Sequence, residues 1–221
     1  MVKRSLVLWL LCLLIGGGVL QGSNRHRQRQ HASGQPEAFD YYVLALSWSP
    51  VYCESHPGDR DQCGAKRYGF VLHGLWPQYE SGGFPSSCAT GRHLTEEARA
   101  VGRSVYPSET LVAHEWQKHG TCSGLDPAAY FRAADEARRA VRIPAAFEPG
   151  ARTQDTTARA VSRAIRDANP GLAQRGLAVV CSGPELAEVR VCMSKDLKPT
   201  ACGANVRDTC RSGTIRVPGA R

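Results

Sequence analysis

The sequence predicts an α+β fold, a central antiparallel sheet with flanking helices. Three observations carry this. Strand-like runs lie toward the two ends of the chain and helical patterns fill its middle, so the elements are segregated rather than alternating. The 221 residues are 42% hydrophobic and 22% charged, which suits a folded core and excludes a wholly disordered chain. The 13 prolines and 22 glycines follow no period, which excludes a collagen-like chain and points to a loop-rich globular one.

The elements follow in order. Lys3 and Arg4 precede an apolar run from Ser5 to Leu20 that is too short to span a bilayer and ends in small residues, so residues 1–22 read as a secretory signal. Residues 23–37 carry Arg25, Arg27 and Arg29 without periodicity and read as a flexible basic tail. No repeat or linker divides residues 38–221, which are expected to form one domain. Phe39–Trp48 is β-branched and aromatic and reads as a strand bounded by Pro50; Lys66–Leu72 reads as a second, ending at His73-Gly74. A Pro/Gly loop lies between them. Helices are expected from Thr95-Glu96-Glu97, from Ser108 to about His119 with Gly120 as the stop, from Asp126-Pro127 to about Val141, and over 153–168. Leu177–Cys181, Glu188–Met193 and Thr214–Val217 read as late strands.

Charge and cysteine usage narrow the setting. The formal charge of +8, two of which leave with the signal, suits an anionic partner such as nucleic acid. Of nine cysteines Cys12 lies in the signal, and the even remainder fits four disulfides in an oxidising compartment. No Cys-x2-Cys pair suggests a metal site, and spacing alone leaves the pairing open. Asn24, Asn169 and Asn205 all lack a glycosylation sequon.

Two segments carry chemistry. In Phe70-Val71-Leu72-His73-Gly74-Leu75-Trp76-Pro77-Gln78 a histidine stands at a strand end beside a Trp-Pro pair. In His114-Glu115-Trp116-Gln117-Lys118-His119-Gly120-Thr121-Cys122, helical spacing pairs Glu115 with His119 and His114 with Lys118. Two imidazoles divide general base and general acid work near neutral pH. An ammonium stabilises charge growing on a phosphorane, and a carboxyl group tunes the imidazoles. No protein nucleophile is needed if the substrate brings its own, as RNA does in its 2′-OH; that requirement excludes DNA.

These two segments, in this order and at this spacing, resemble the active-site segments of the ribonuclease T2 family. Phe39–Pro50 is similar to the family's first strand region, and Cys192-Met193-Ser194-Lys195-Asp196-Leu197 resembles a bacterial, periplasmic ribonuclease I-like branch. The resemblance implies His119 as general base, His73 as general acid, and Glu115 and Lys118 as groups that polarise the phosphate. It implies phosphate binding by His114, and a role for Trp76 in stacking a base or holding His73. Tyr79 and Phe84 are the candidate stacking residues for the first base, and Leu111 is expected to line the second base site. The position after Trp-Pro is Gln78 where some members carry an acid linked to adenine preference, so a broad base preference is expected. The resemblance further implies disulfides Cys88–Cys122, Cys53–Cys63, Cys181–Cys210 and Cys192–Cys202. It implies RNA as the partner, with no cofactor or metal; with the signal and the cysteines, it leads to the expectation of a periplasmic or extracellular monomer free of the membrane after signal cleavage, acting on no DNA. Two other readings compete: a binding protein on the same fold, and a zinc hydrolase using His114, Glu115 and His119, whose i, i+5 histidines do not share a helix face.

Overall fold

The computed structural model describes residues 35–211 and 213–220. The expected signal segment, and the tail up to residue 34, lie outside the described residues. Six strands make one sheet: β1 (Tyr41–Trp48), β2 (Phe70–Gln78), β3 (Gln154–Thr156), β4 (Leu177–Ser182), β5 (Glu185–Met193) and β6 (Ile215–Val217), in the order β2-β1-β5-β6-β3 with β4 also paired to β5. The helices are α1 (Ser49–Ser55), α2 (Arg60–Cys63), α3 (Glu96–Val105), α4 (Glu109–Lys118), α5 (Pro127–Arg139) and α6 (Ala158–Ala168).

The sheet is mixed rather than antiparallel throughout. Every strand pair is antiparallel except β5–β6, which meets in parallel through Glu185 and Arg216. A three-residue closing strand carries no pattern that fixes its direction.

The strand ending expected at Leu72 instead begins at Phe70 and runs through the first motif to Gln78. Pro77 fits because β2 is an edge strand, where a missing N–H costs no ladder bond. The Pro/Gly loop after β1 holds two short helices. Pro50 opens α1, Asp59 caps α2 by accepting the Gln62 N–H, and Cys53–Cys63 joins the two. The helix expected from 153 starts at Ala158, because Gln154–Thr156 pairs with β6 and Thr157 then caps α6. Thr95, Ser108 and Asp126 each cap their helix through a side-chain oxygen.

β1 lies between β2 and β5 and is buried on both faces. Tyr42, Leu44, Leu46 and Trp48 belong to the main core with Val112 and Trp116 of α4 and Tyr130, Phe131 and Ala134 of α5. Tyr41 and Val43 face the other way into a smaller cluster with Ala178, Cys192, Cys202 and Val206. The Tyr130 hydroxyl donates to the Leu75 carbonyl at 2.9 Å, tying α5 to the first motif.

Four disulfides close: Cys53–Cys63, Cys88–Cys122, Cys181–Cys210 and Cys192–Cys202. Cys88–Cys122 spans 34 residues and anchors the loop after β2 to the short 3-10 turn Gly120–Cys122 that follows α4. Hydrogen bonds from the Ser87 N–H to the Lys118 carbonyl and from the Cys88 N–H to Thr121 Oγ1 reinforce it. Removing both cysteines (Cys88→Ser with Cys122→Ser) is expected to lower unfolding free energy by about 2–5 kcal/mol, measured by urea denaturation.

Candidate active site

β1 and β2 pair in register from Tyr41–Gln78 to Ala45–Gly74, and then Leu46 pairs with Leu72. His73 is the extra residue of a β-bulge. The side-chain alternation of a regular strand would send His73 and Trp76, three residues apart, to opposite faces. The bulge restores them to one face, where their rings meet edge-on at 4.9 Å between centroids. Gly74 shares that face. A Cβ there would lie 2.0 Å from Glu115 Oε2 and 2.1 Å from Trp76 Nε1, so only glycine lets the Glu115 carboxyl group close over the strand.

The second motif arrives on α4. Glu115 is fully buried, and its Oε2 accepts the Trp76 indole N–H at 2.8 Å. Its Oε1 has no hydrogen-bond partner among the described residues. His119 caps the helix, its backbone N–H bonded to the Glu115 carbonyl at 3.0 Å. Its buried ring stacks on Trp76 at 5.2 Å and meets Phe84 at 5.8 Å. Gly120 follows without a left-handed backbone. Its role is close packing, since a Cβ would lie 2.4 Å from Trp116 and 2.9 Å from Tyr130.

His73, Trp76, Phe84, His114, Glu115, Lys118 and His119 line one cleft of about 260 Å³, with Gln78, Arg190 and Asn205. Seven of the eight expected site residues therefore meet. The eighth, Tyr79, does not line this cleft; it is half-buried against the main core, in a turn whose backbone bonds join it to Gly82 and Gly83. Leu111 lies in a neighbouring cleft of about 220 Å³ with Ser47, Tyr52 and Asp59, and His73 and His114 border both clefts. Gln78 is buried and its amide is engaged, donating to the Pro77 carbonyl at 3.0 Å and accepting from Asn205 Nδ2 at 3.2 Å.

Three residues of the site escaped the sequence reading. Glu188 on β5 is buried, and its Oε2 lies 2.8 Å from His73 Nδ1. Ser47 donates to the same oxygen at 3.1 Å, and Arg190 donates from Nε to Glu188 Oε1 at 2.6 Å. The Arg190 guanidinium also sits 5.4 Å from the Trp76 ring. The available signal was two opposite charges two residues apart on one face of a largely apolar strand.

The electrostatics separate the two imidazoles. Burial lowers His119, and the positive charges of Lys118, His114 and His73 lower it further, to about 3. Burial also pulls His73 down, but the hydrogen bond and charge of Glu188, with help from Glu115, outweigh it and hold His73 above the usual histidine value. Burial pushes Glu115 up to about 7 against the opposing pull of His73 and Trp76. His114 is lowered by desolvation and by Lys118. Among the described residues no three His, Cys, Asp or Glu side chains group as a metal ion would require.

Comparison with known proteins agrees with this geometry. Residues 39–202 match the model of the ribonuclease T2 family. A ribonuclease of Aeromonas hydrophila is 50% identical over 108 residues, 49% of this chain and 49% of that protein. A probable ribonuclease of Haemophilus influenzae is 36% identical over 120 residues, 48% of this chain and 44% of its own. The chain thus spans about half the length of these curated relatives. Among solved structures, an RNase-related protein from Calystegia sepium superposes with a TM-score of 0.64 at 24% identity, covering 80% of this chain and 96% of that one. The shared fold, the matched family model and the two motifs in one cleft lead to one conclusion: the chain belongs to the ribonuclease T2 family.

Proposed function

We propose that the protein is a secreted or periplasmic endoribonuclease of low base specificity that cleaves RNA by transesterification without a metal. His119 takes the proton of the 2′-OH, whose oxygen attacks the adjacent phosphorus. His73 gives its proton to the departing 5′-oxygen, leaving a 2′,3′-cyclic phosphate. The roles then exchange: His73 draws a proton from water, the water oxygen opens the ring, and His119 protonates the 2′-oxygen to leave a 3′-phosphate. The observation that carries this reading is the opposite settings of two imidazoles packed on one indole, His73 backed by a carboxylate and His119 backed by none. Groups whose surroundings push their pKa values apart divide acid from base work. An anionic phosphate entering the cleft raises His119 from its value in the empty site and makes it a better base.

Lys118 and His114 would bind the phosphate. Glu115, raised to about 7, is a neutral acid at mildly acidic pH, and its unpartnered Oε1 can then donate a hydrogen bond to a phosphoryl oxygen. Stacking on Phe84, with the Gln78 amide already engaged, supports low base specificity. Four disulfides support an oxidising compartment, and among the described residues no helix is long and apolar enough to cross a membrane.

The pH profile tests the role of Glu115. kcat/KM, which reports the free enzyme, should rise above about pH 3, as His119 loses its proton, and fall through about pH 7, as Glu115 ionises. Glu115→Gln keeps a neutral donor, so it should retain activity within about tenfold and move the basic limb to higher pH. Glu115→Ala should lose roughly 10²–10³ in kcat/KM. Equal losses in both variants would contradict a neutral donor.

The function itself is tested with purified protein, RNA and matched DNA in excess EDTA, with the product ends identified by mass spectrometry. The expected result is cyclic-phosphate and 3′-phosphate ends on RNA alone. Cleavage only without EDTA would favour the metal hydrolase, and binding of RNA without cleavage the binding protein.

A further inference from the structure

We propose that Glu188 is a positioning residue for His73, fixing the imidazole so that Nε2 carries the proton delivered to the leaving oxygen. The inference rests on His73 acting as the general acid. A histidine at a bulge gains its place on the sheet face but no fixed ring orientation, and its side chain is 37% exposed. Something must hold the ring. Glu188 does so from β5, two strands away, through the 2.8 Å contact to Nδ1. Register explains the reach: Glu188 pairs with Ser47 across β1–β5, and Ser47 pairs with Val71 across β1–β2. The bulge then brings His73 to the same face, and Ser47 Oγ lies 3.1 Å from both His73 Nδ1 and Glu188 Oε2.

A carboxylate accepts only, so Nδ1 must keep its proton and remain the donor. The proton that leaves is therefore the one on Nε2. After transfer the neutral ring remains in the Nδ1–H tautomer, still bonded to Glu188, and no ring flip is needed before it accepts a proton from water. Arg190 supports the carboxylate through Oε1, so Glu188 stays ionised in its buried site. Desolvation alone would raise Glu188, but His73 and Arg190 reverse it and hold the group below the usual carboxylate range.

Other charged and titratable groups also face His73. Arg190 joins Glu188 on β5. Glu115, His114 and Lys118 come from α4, with His119 at its end, and Tyr52 and Asp59 lie across the neighbouring cleft. Glu188 is the one charged group among them that is hydrogen-bonded to the His73 ring.

Two variants separate positioning from a merely structural role. Glu188→Gln keeps an acceptor and removes the charge; Glu188→Ala removes both. The first readout is ¹⁵N NMR of His73, which needs no catalysis. In Glu188→Gln the His73 titration should move to lower pH with the Nδ1–H tautomer retained, and in Glu188→Ala the tautomer should be lost as well. The second readout compares an ordinary dinucleotide with one whose 5′-oxygen is replaced by sulfur, a leaving group that needs no proton. Glu188→Ala should lower kcat at least tenfold on the oxygen substrate with little change in KM, and less than threefold on the sulfur substrate. An unchanged His73 titration in both variants would overturn the proposal, as would equal losses on the two substrates. If the wild-type protein cleaves neither substrate, the ribonuclease reading fails, and the NMR readout still decides whether Glu188 holds the ring.

Discussion

Replacing His119 with alanine is expected to lower kcat/KM on RNA by roughly 10²–10⁴-fold, and His73→Ala by a similar factor, measured with a dinucleotide substrate. The two losses should not multiply in the double variant, because in the proposed mechanism the histidines serve one proton relay and either loss disables it. The physical cause differs between them. His119 is buried between Trp76 and Phe84, and Nδ1 has no acceptor among the described residues to hold a second proton. It is neutral and ready to accept. His73 has Glu188 at 2.8 Å, and in the proposed mechanism it keeps its proton until the leaving oxygen takes it. Truncating a buried ring also removes packing, so His119→Asn, which keeps polar volume, should show the same loss with a smaller change in thermal stability.

The second large effect comes from one methyl group. Gly74→Ala should cut kcat/KM at least about 100-fold and destabilise the fold by about 1–3 kcal/mol, by activity assay and denaturation together. The added carbon would sit 2.0 Å from Glu115 Oε2 and 2.1 Å from Trp76 Nε1. Both atoms must yield, and they are partners in one 2.8 Å hydrogen bond. Moving Trp76 disturbs His73 and His119 together, since the indole touches both rings. Gly58→Ala is the control: a Cβ there meets nothing within 4 Å.

Much of this was legible because the residues lie close in sequence. Glu115, Lys118 and His119 occupy one helical turn, and Thr95, Ser108 and Asp126 announce their helices by capping chemistry. The first motif differs from its sequence reading in structure. His73 stands inside β2 rather than past its end, because a bulge lets one extra residue enter an edge strand without breaking the pairing. Short α1 and α2 were hidden by their length and by Pro57-Gly58 between them, although Ser49-Pro50 is a helix-opening pair. Tyr79, a candidate stacking residue, is half-buried against the main core and does not line the cleft that holds the two histidines. Glu188 and Arg190 were out of reach for a different reason. Glu188 is 115 residues from His73, and only strand order and register bring them together.

The central claim is the division of labour between the two histidines, and a dinucleotide with sulfur in place of the bridging 5′-oxygen tests it most directly. A thiolate leaves without protonation, so only the general acid becomes dispensable. The account predicts that His73→Ala recovers most of the wild-type rate on this substrate while His119→Ala stays inactive. Recovery by His119→Ala in place of His73→Ala would reverse the assignment, and recovery by neither would contradict proton transfer to the leaving group as the role of His73.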